Sequence, residues 1–125
     1  MHVNEMVARL QSVLTPDLLK QPYRRQVEAG ANPLTGHCYV ASEALYHLCG
    51  GAESGLTPCS VRHEGTVHWY LKTLTNDPID PTAAQFKTPV PYEQGRGRGF
   101  LTKQPSKRAQ TVIDRYQSLD NPRES

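Results

Sequence analysis

The chain has 125 residues, 37% hydrophobic and 21% charged, with 14 Lys and Arg against 12 Asp and Glu. That length suits one domain over residues 1–125, able to bury about two-thirds of the surface its unfolded chain exposes, without a metal or disulfide scaffold. The near balance of charge gives no overall argument for nucleic acid or an anionic membrane as partner, and no run approaches the ~20 apolar residues of a membrane span.

The first predicted element is a helix carrying Val3, Met6, Val7, Leu10 and Leu14 on one face, with Glu5, Arg9 and Ser12 turned outward. A second, short helix is expected from Thr15 as N-cap, with Pro16 in its first turn and Pro22 as its stop. From Tyr23 to Gly36 the residues read as a polar, turn-rich connection. Residues 38–49 carry the strongest helix signal: Val40, Ala41, Ala44, Leu45 and Leu48 form an apolar stripe that Gly50 and Gly51 close. Two alternating stretches, 57–63 and 66–73, predict strands joined by a tight Glu64-Gly65 turn. After the turn at Asn76-Asp77-Pro78, Ile79 and Asp80 begin a third strand that Pro81 ends. Residues 89–104 are so rich in glycine and proline that a long Gly/Arg-rich loop is expected, followed by a helix over about 106–118 and a frayed end at Asn121–Ser125. The fold class is α+β, with N-terminal helices and a helix bearing a thiol nucleophile packed on a small antiparallel sheet.

Three residues in these elements supply complementary chemistry. Cys38 falls in the first turn of its helix, where unpaired backbone N–H groups and the positive end of the helix dipole favour a thiolate and can hold an oxyanion. His68, held rigidly on a strand beside the bulky Trp69 and Tyr70, is the candidate base. Asp80, on the next strand, can accept the other imidazole N–H and fix its tautomer. Asp77 competes for that third role but sits in the turn before Pro78.

The motifs Gly36-His37-Cys38 with Ala41, His68-Trp69, and Asp80-Pro81-Thr82 occur in the order found in the transglutaminase-like superfamily of papain-like cysteine enzymes, which the region 36–82 resembles. The whole chain is similar to small proteins of phage genomes. The resemblance implies a papain/transglutaminase-like core in which Cys38 is nucleophile, His68 general base and acid, and Asp80 the orienting carboxylate. It also implies acyl transfer through a Cys38 thioester, making the chain a peptidase, amidase, deamidase or transamidase acting on a protein, peptide or small amide, with hydrolysis or deamidation favoured over cross-linking at this size. The family's upstream oxyanion donor has Asn32 and Gln26 as candidates here. No cofactor is expected.

The remaining chemistry-bearing residues have plainer readings. Cys49 and Cys59 suit buried core positions, His47 an exposed helix end, and His37 either tunes the thiol or sits at the helix mouth. A zinc site from Cys49, Cys59, His63 and His68 is disfavoured because nine residues separate the two cysteines; no metal is expected. An odd number of cysteines and a start interrupted by Asn4, Glu5, Arg9 and Gln11 point to a reducing, cytoplasmic setting.

Charge is uneven along the chain. Residues 1–80 hold 6 basic and 8 acidic residues, whereas residues 81–125 hold 8 and 4. Arg96 and Arg98, between glycines, can grip an anionic group on a substrate, with Trp69 as a further substrate contact. The alternative function is a non-catalytic module that binds nucleic acid or an acidic protein through the basic 95–115 segment.

Overall fold

The computed structural model describes residues 3–119, and the expected frayed end at Asn121–Ser125 lies outside them. The fold is mixed α+β, with four α-helices and a four-stranded antiparallel sheet among the described residues. Helix α1 spans Val3–Gln11, α2 Tyr23–Glu28, α3 Cys38–Leu48 and α4 Lys107–Ser118. Strands β1 (Thr57–His63), β2 (Thr66–Lys72), β3 (Pro78–Ile79) and β4 (Arg96–Gly97) lie in the order β3-β2-β1-β4. None of the helices among the described residues is long and apolar enough to cross a membrane.

The β1–β2 hairpin runs in register from Thr57 opposite Lys72 to His63 opposite Thr66. Its two turn residues, Glu64 and Gly65, both have positive φ, at 48° and 80°, the pattern of a turn whose twist matches that of the strands. One face of this sheet meets the helices through Leu71, in a core with Leu10, Ala41, Leu45, Ala109 and Val112. The other face buries Cys59, Val61 and Tyr70 against Val90. In α4 the apolar residues Ala109, Val112, Ile113 and Tyr116 recur at three- and four-residue steps, and all four are buried.

Short β3 pairs with β2 only at Leu71 and Lys72, which leaves the earlier part of that edge open. Helix α3 lies along it. The Cys38 thiol sits 3.9 Å from the Val67 carbonyl, and the Ser42 hydroxyl donates to the Trp69 carbonyl at 3.2 Å. The fit is one of repeat lengths. Four helical residues rise about 6 Å, close to the ~6.6 Å that separates alternate residues of a strand.

Two expectations need correction. The helix expected from Thr15 is only a single 3₁₀ turn, Pro16–Leu18, and the true helix lies in the supposed connection at Tyr23–Glu28. That segment lacks apolar periodicity, and tertiary bonds hold it: Arg24 donates through Nε to the Pro16 carbonyl and through its guanidinium nitrogen to that of Asp17. The 89–104 stretch is not wholly a loop. It contains a 3₁₀ turn at Tyr92–Gln94 and strand β4, which pairs with β1 at Cys59 and Ser60. Gly95 makes this approach possible, because a Cβ there would fall 1.7 Å from the Tyr70 hydroxyl.

Glu43, fully buried in α3, ties the two largest helices together. Its carboxylate accepts from the Ser106 backbone N–H at 2.9 Å and from the Ser106 hydroxyl at 2.7 Å, while that hydroxyl in turn accepts from the Ala109 N–H as the N-cap of α4. Ser106→Ala should cost about 1 kcal/mol, the usual loss of a cap. Glu43→Ala, which leaves two half-buried donors on Ser106 without their acceptor and opens a void, should cost about 3 kcal/mol. Urea unfolding checks both, and the double variant should cost less than their sum because the two residues share one network.

Candidate active site

Cys38 is the first residue of α3, half-buried, preceded by His37 as an N-cap whose side chain makes no capping bond. The first backbone N–H groups of the helix therefore have no intrahelical partner. Gly36, just before, has φ +82°, and a Cβ there would meet the Tyr23 side chain at 2.8 Å, so only glycine fits this bend into the helix.

His68 lies on β2 with its side chain fully buried. Extending the β2–β3 register one step past Ile79 sets Asp80 across from Tyr70, on the face that also carries His68. The imidazole Nε2 and the Asp80 Oδ2 are 2.6 Å apart. Asp80 is itself fixed on every side: Tyr92 donates its hydroxyl to Oδ2 at 2.8 Å, and the Thr82 N–H donates to Oδ1 at 3.2 Å. The other ring nitrogen of His68, Nδ1, is buried and without a fixed hydrogen-bond partner. Burial alone would lower the pKa of this imidazole; the hydrogen bond to Asp80, the adjacent Cys38 thiol and the charges of both outweigh it and raise the value to about 9. The structure thus sets Asp80 on Nε2 of His68 and Cys38 near enough to influence the ring, while Nδ1 has no hydrogen-bond partner.

Aromatic rings enclose the pair. The Phe86 ring stands edge-on to His68 at 4.7 Å, and Tyr70 stacks on it at 6.2 Å. The hairpin turn holds this cover in place, since Glu64 accepts from the N–H groups of Lys87 and Thr88 and from the Thr88 hydroxyl. Tyr70 donates its hydroxyl to the Tyr92 carbonyl, extending the chain of contacts to Asp80. Burial, followed by the hydrogen bond to Asp80, raises the pKa of Tyr92, so its hydroxyl stays a proton donor.

Cys38 opens onto a groove of about 440 Å³ walled by Tyr23, Tyr39, Trp69 and Phe86. Trp69 therefore shares a groove with Cys38. Neither Asn32 nor Gln26 lines this groove. The Asn32 amide donates to the Ala84 carbonyl and accepts from the Leu34 N–H, so both its ends serve the loop, and Gln26 is exposed on α2. Gln85 does line it, with its side-chain oxygen buried and unpartnered. Nothing local in the sequence marks Gln85 or Tyr92, because both reach the site through long-range packing.

The basic segment is partly committed elsewhere. Arg98 lies over the Trp69 ring at 5.4 Å, Arg115 pairs with Asp17 at 2.7 Å, and Arg96 is exposed on β4. Asp77 accepts from Thr75 within its turn. His47 is half-buried with an unpartnered Nε2, not exposed as expected, because it packs edge-on to Tyr46. Among the described residues, no group of three or more His, Cys, Asp or Glu is arranged to hold a metal ion.

His68 should titrate near pH 9 by imidazole NMR, and both Asp80→Asn and Cys38→Ala should lower that value, since each removes an influence that raises it. His37 behaves oppositely. It is 1% exposed, and burial lowers its pKa to about 4, against a smaller upward pull from Asp17. Between about pH 6.5 and 4 the unfolded chain binds a proton that the native state rejects, so stability should fall with pH there by up to about 3 kcal/mol. Chemical denaturation across that window checks this, and His37→Phe should flatten the dependence.

No family model, curated protein or solved structure matches the chain.

Proposed function

We propose that this protein is a small transglutaminase-like cysteine enzyme with a papain-like core, which transfers the acyl group of an amide through a Cys38 thioester. The observation that carries the reading is the buried His68–Asp80 pair at 2.6 Å, with the half-exposed Cys38 near enough to raise the imidazole pKa. A histidine raised to about 9 is protonated at neutral pH, which stabilises a neighbouring thiolate.

The reaction follows from these groups. The thiolate sulfur bonds to the amide carbon, and the negative charge that moves to its oxygen meets the unpaired N–H groups at the start of α3. The tetrahedral intermediate then collapses, the C–N bond breaks, and the imidazolium proton passes to the departing amine. Acylation removes the thiolate charge, one of the influences that raise His68, so its pKa falls and it becomes a better base. His68 then takes a proton from water as its oxygen attacks the thioester carbon; the C–S bond breaks, the carboxylic acid leaves, and the thiolate–imidazolium pair is restored. The unpartnered Gln85 oxygen in the groove suits an N–H of the substrate.

The thiols test this directly. Burial raises the pKa of both Cys49 and Cys59. At pH 7 iodoacetamide should therefore label Cys38 at least about tenfold faster than either, as located by intact mass and peptide mapping. His68→Ala should erase the difference while Cys38→Ala removes the label. Equal labelling of all three thiols in the native protein would overturn the proposal.

A further inference from the structure

The groove that exposes Cys38 does not end at its rim. Gly36 and Tyr39, two of its lining residues, also line a second cavity of about 400 Å³, whose other walls include Lys20, Lys107 and Arg108. A third lobe, of about 540 Å³, shares Lys20, Lys107 and Arg108 and adds Arg24. Among the described residues the side chains of Lys20, Lys107 and Arg108 have no ion pair. The Arg24 guanidinium is fixed by two backbone carbonyls, which orient it without neutralising it. The carboxylate at this surface, Asp17, is already taken by Arg115 at 2.7 Å. The buried Glu43 spends both oxygens on Ser106. Cationic charge is thus in excess here, contributed by the segment before α2, by α2 and by the start of α4.

We propose that this cavity holds the acidic flank of a peptide whose amide lies over Cys38, so that the substrates are peptides with carboxylates on one side of the reacting amide. The proposal rests on the acyl-transfer reading of Cys38. The spread of the cations favours a peptide. The two basic lobes together exceed what a single carboxylate needs, and an extended chain places same-side carboxylates about 6.6 Å apart, suiting cations contributed by separate elements. A peptide also carries the amide and the carboxylates in one molecule, with the shared Gly36–Tyr39 wall between their two sites. Lys20 and Lys107 are exposed, so each contributes modestly and in a salt-dependent way, and the preference comes from their sum.

Fluorescence anisotropy on the Cys38→Ala protein tests this without any thioester, using a labelled glutamate-rich peptide and its glutamine counterpart. The acidic peptide should bind about tenfold more tightly at low salt, with the gap closing at high salt. Lys107→Ala with Arg108→Ala should remove the preference, as should Lys20→Glu on a different element, while Arg62→Ala on β1 should keep it. In the native protein the acidic peptide should also slow iodoacetamide labelling of Cys38. Equal binding of the two peptides, or binding that leaves labelling unchanged, would overturn the proposal. So would a single-stranded oligonucleotide that protects Cys38 better than the acidic peptide, since the cavity would then be a nucleic-acid site. Peptide preference is read on a chain that has no Cys38 thiol, so its failure is separate from a failure of thiol reactivity.

Discussion

The Asp80 carboxylate is the fixed point of this molecule. Its side chain is 4% exposed, so water cannot solvate its charge, and three groups do so instead: the His68 ring, the Tyr92 hydroxyl and the Thr82 N–H. Those partners come from β2, from the 3₁₀ turn before β4 and from the bend after β3. A buried ion is costly unless every partner is in place, so these segments stand or fall together. The orientation of the imidazole and the placement of the Tyr92 hydroxyl both answer to this one desolvated charge.

Two histidines near the thiol show how much a single carboxylate decides. His37 and His68 are both buried, and burial depresses both imidazoles. His37 has only the distant pull of Asp17 and ends near 4, while His68 has Asp80 in contact and the thiol beside it and ends near 9. Proximity to Cys38 in sequence therefore says little about which way a ring's pKa moves. The neutral ring at the helix mouth leaves the first-turn N–H groups as the local electrostatic influence there.

What could be read from the sequence was what local patterns encode. Helix α3 announced itself by its apolar stripe, the hairpin by alternation around Glu64-Gly65, and Asp80 by its place after a turn. Less legible were contacts made across long separations. Nothing local marks Glu43, because its partner Ser106 lies 63 positions away. Tyr92 looked like part of a loop, although its hydroxyl braces Asp80. Asn32 and Gln26 lie upstream of Cys38, yet Asn32 is bonded within its loop and Gln26 is exposed on α2, away from the groove. Helix α2 went unseen because its stability comes from the Arg24 bonds and the Tyr23–Gly36 fit, and not from an amphipathic repeat.

The close approach at Gly95 constrains how this sequence can change over time. Any side chain there collides with the Tyr70 hydroxyl at 1.7 Å, and even without that hydroxyl the ring carbon behind it remains at 2.8 Å. Residue 70 must therefore become smaller before residue 95 can become larger; in the reverse order the intermediate carries a clash against the wall of the His68 site. Position 95 cannot enlarge while Tyr70 stays as it is. The pair makes mutational order itself a selectable property, an epistatic lock in which the permissive step at 70 gives up the Tyr92 hydrogen bond before anything is gained at 95.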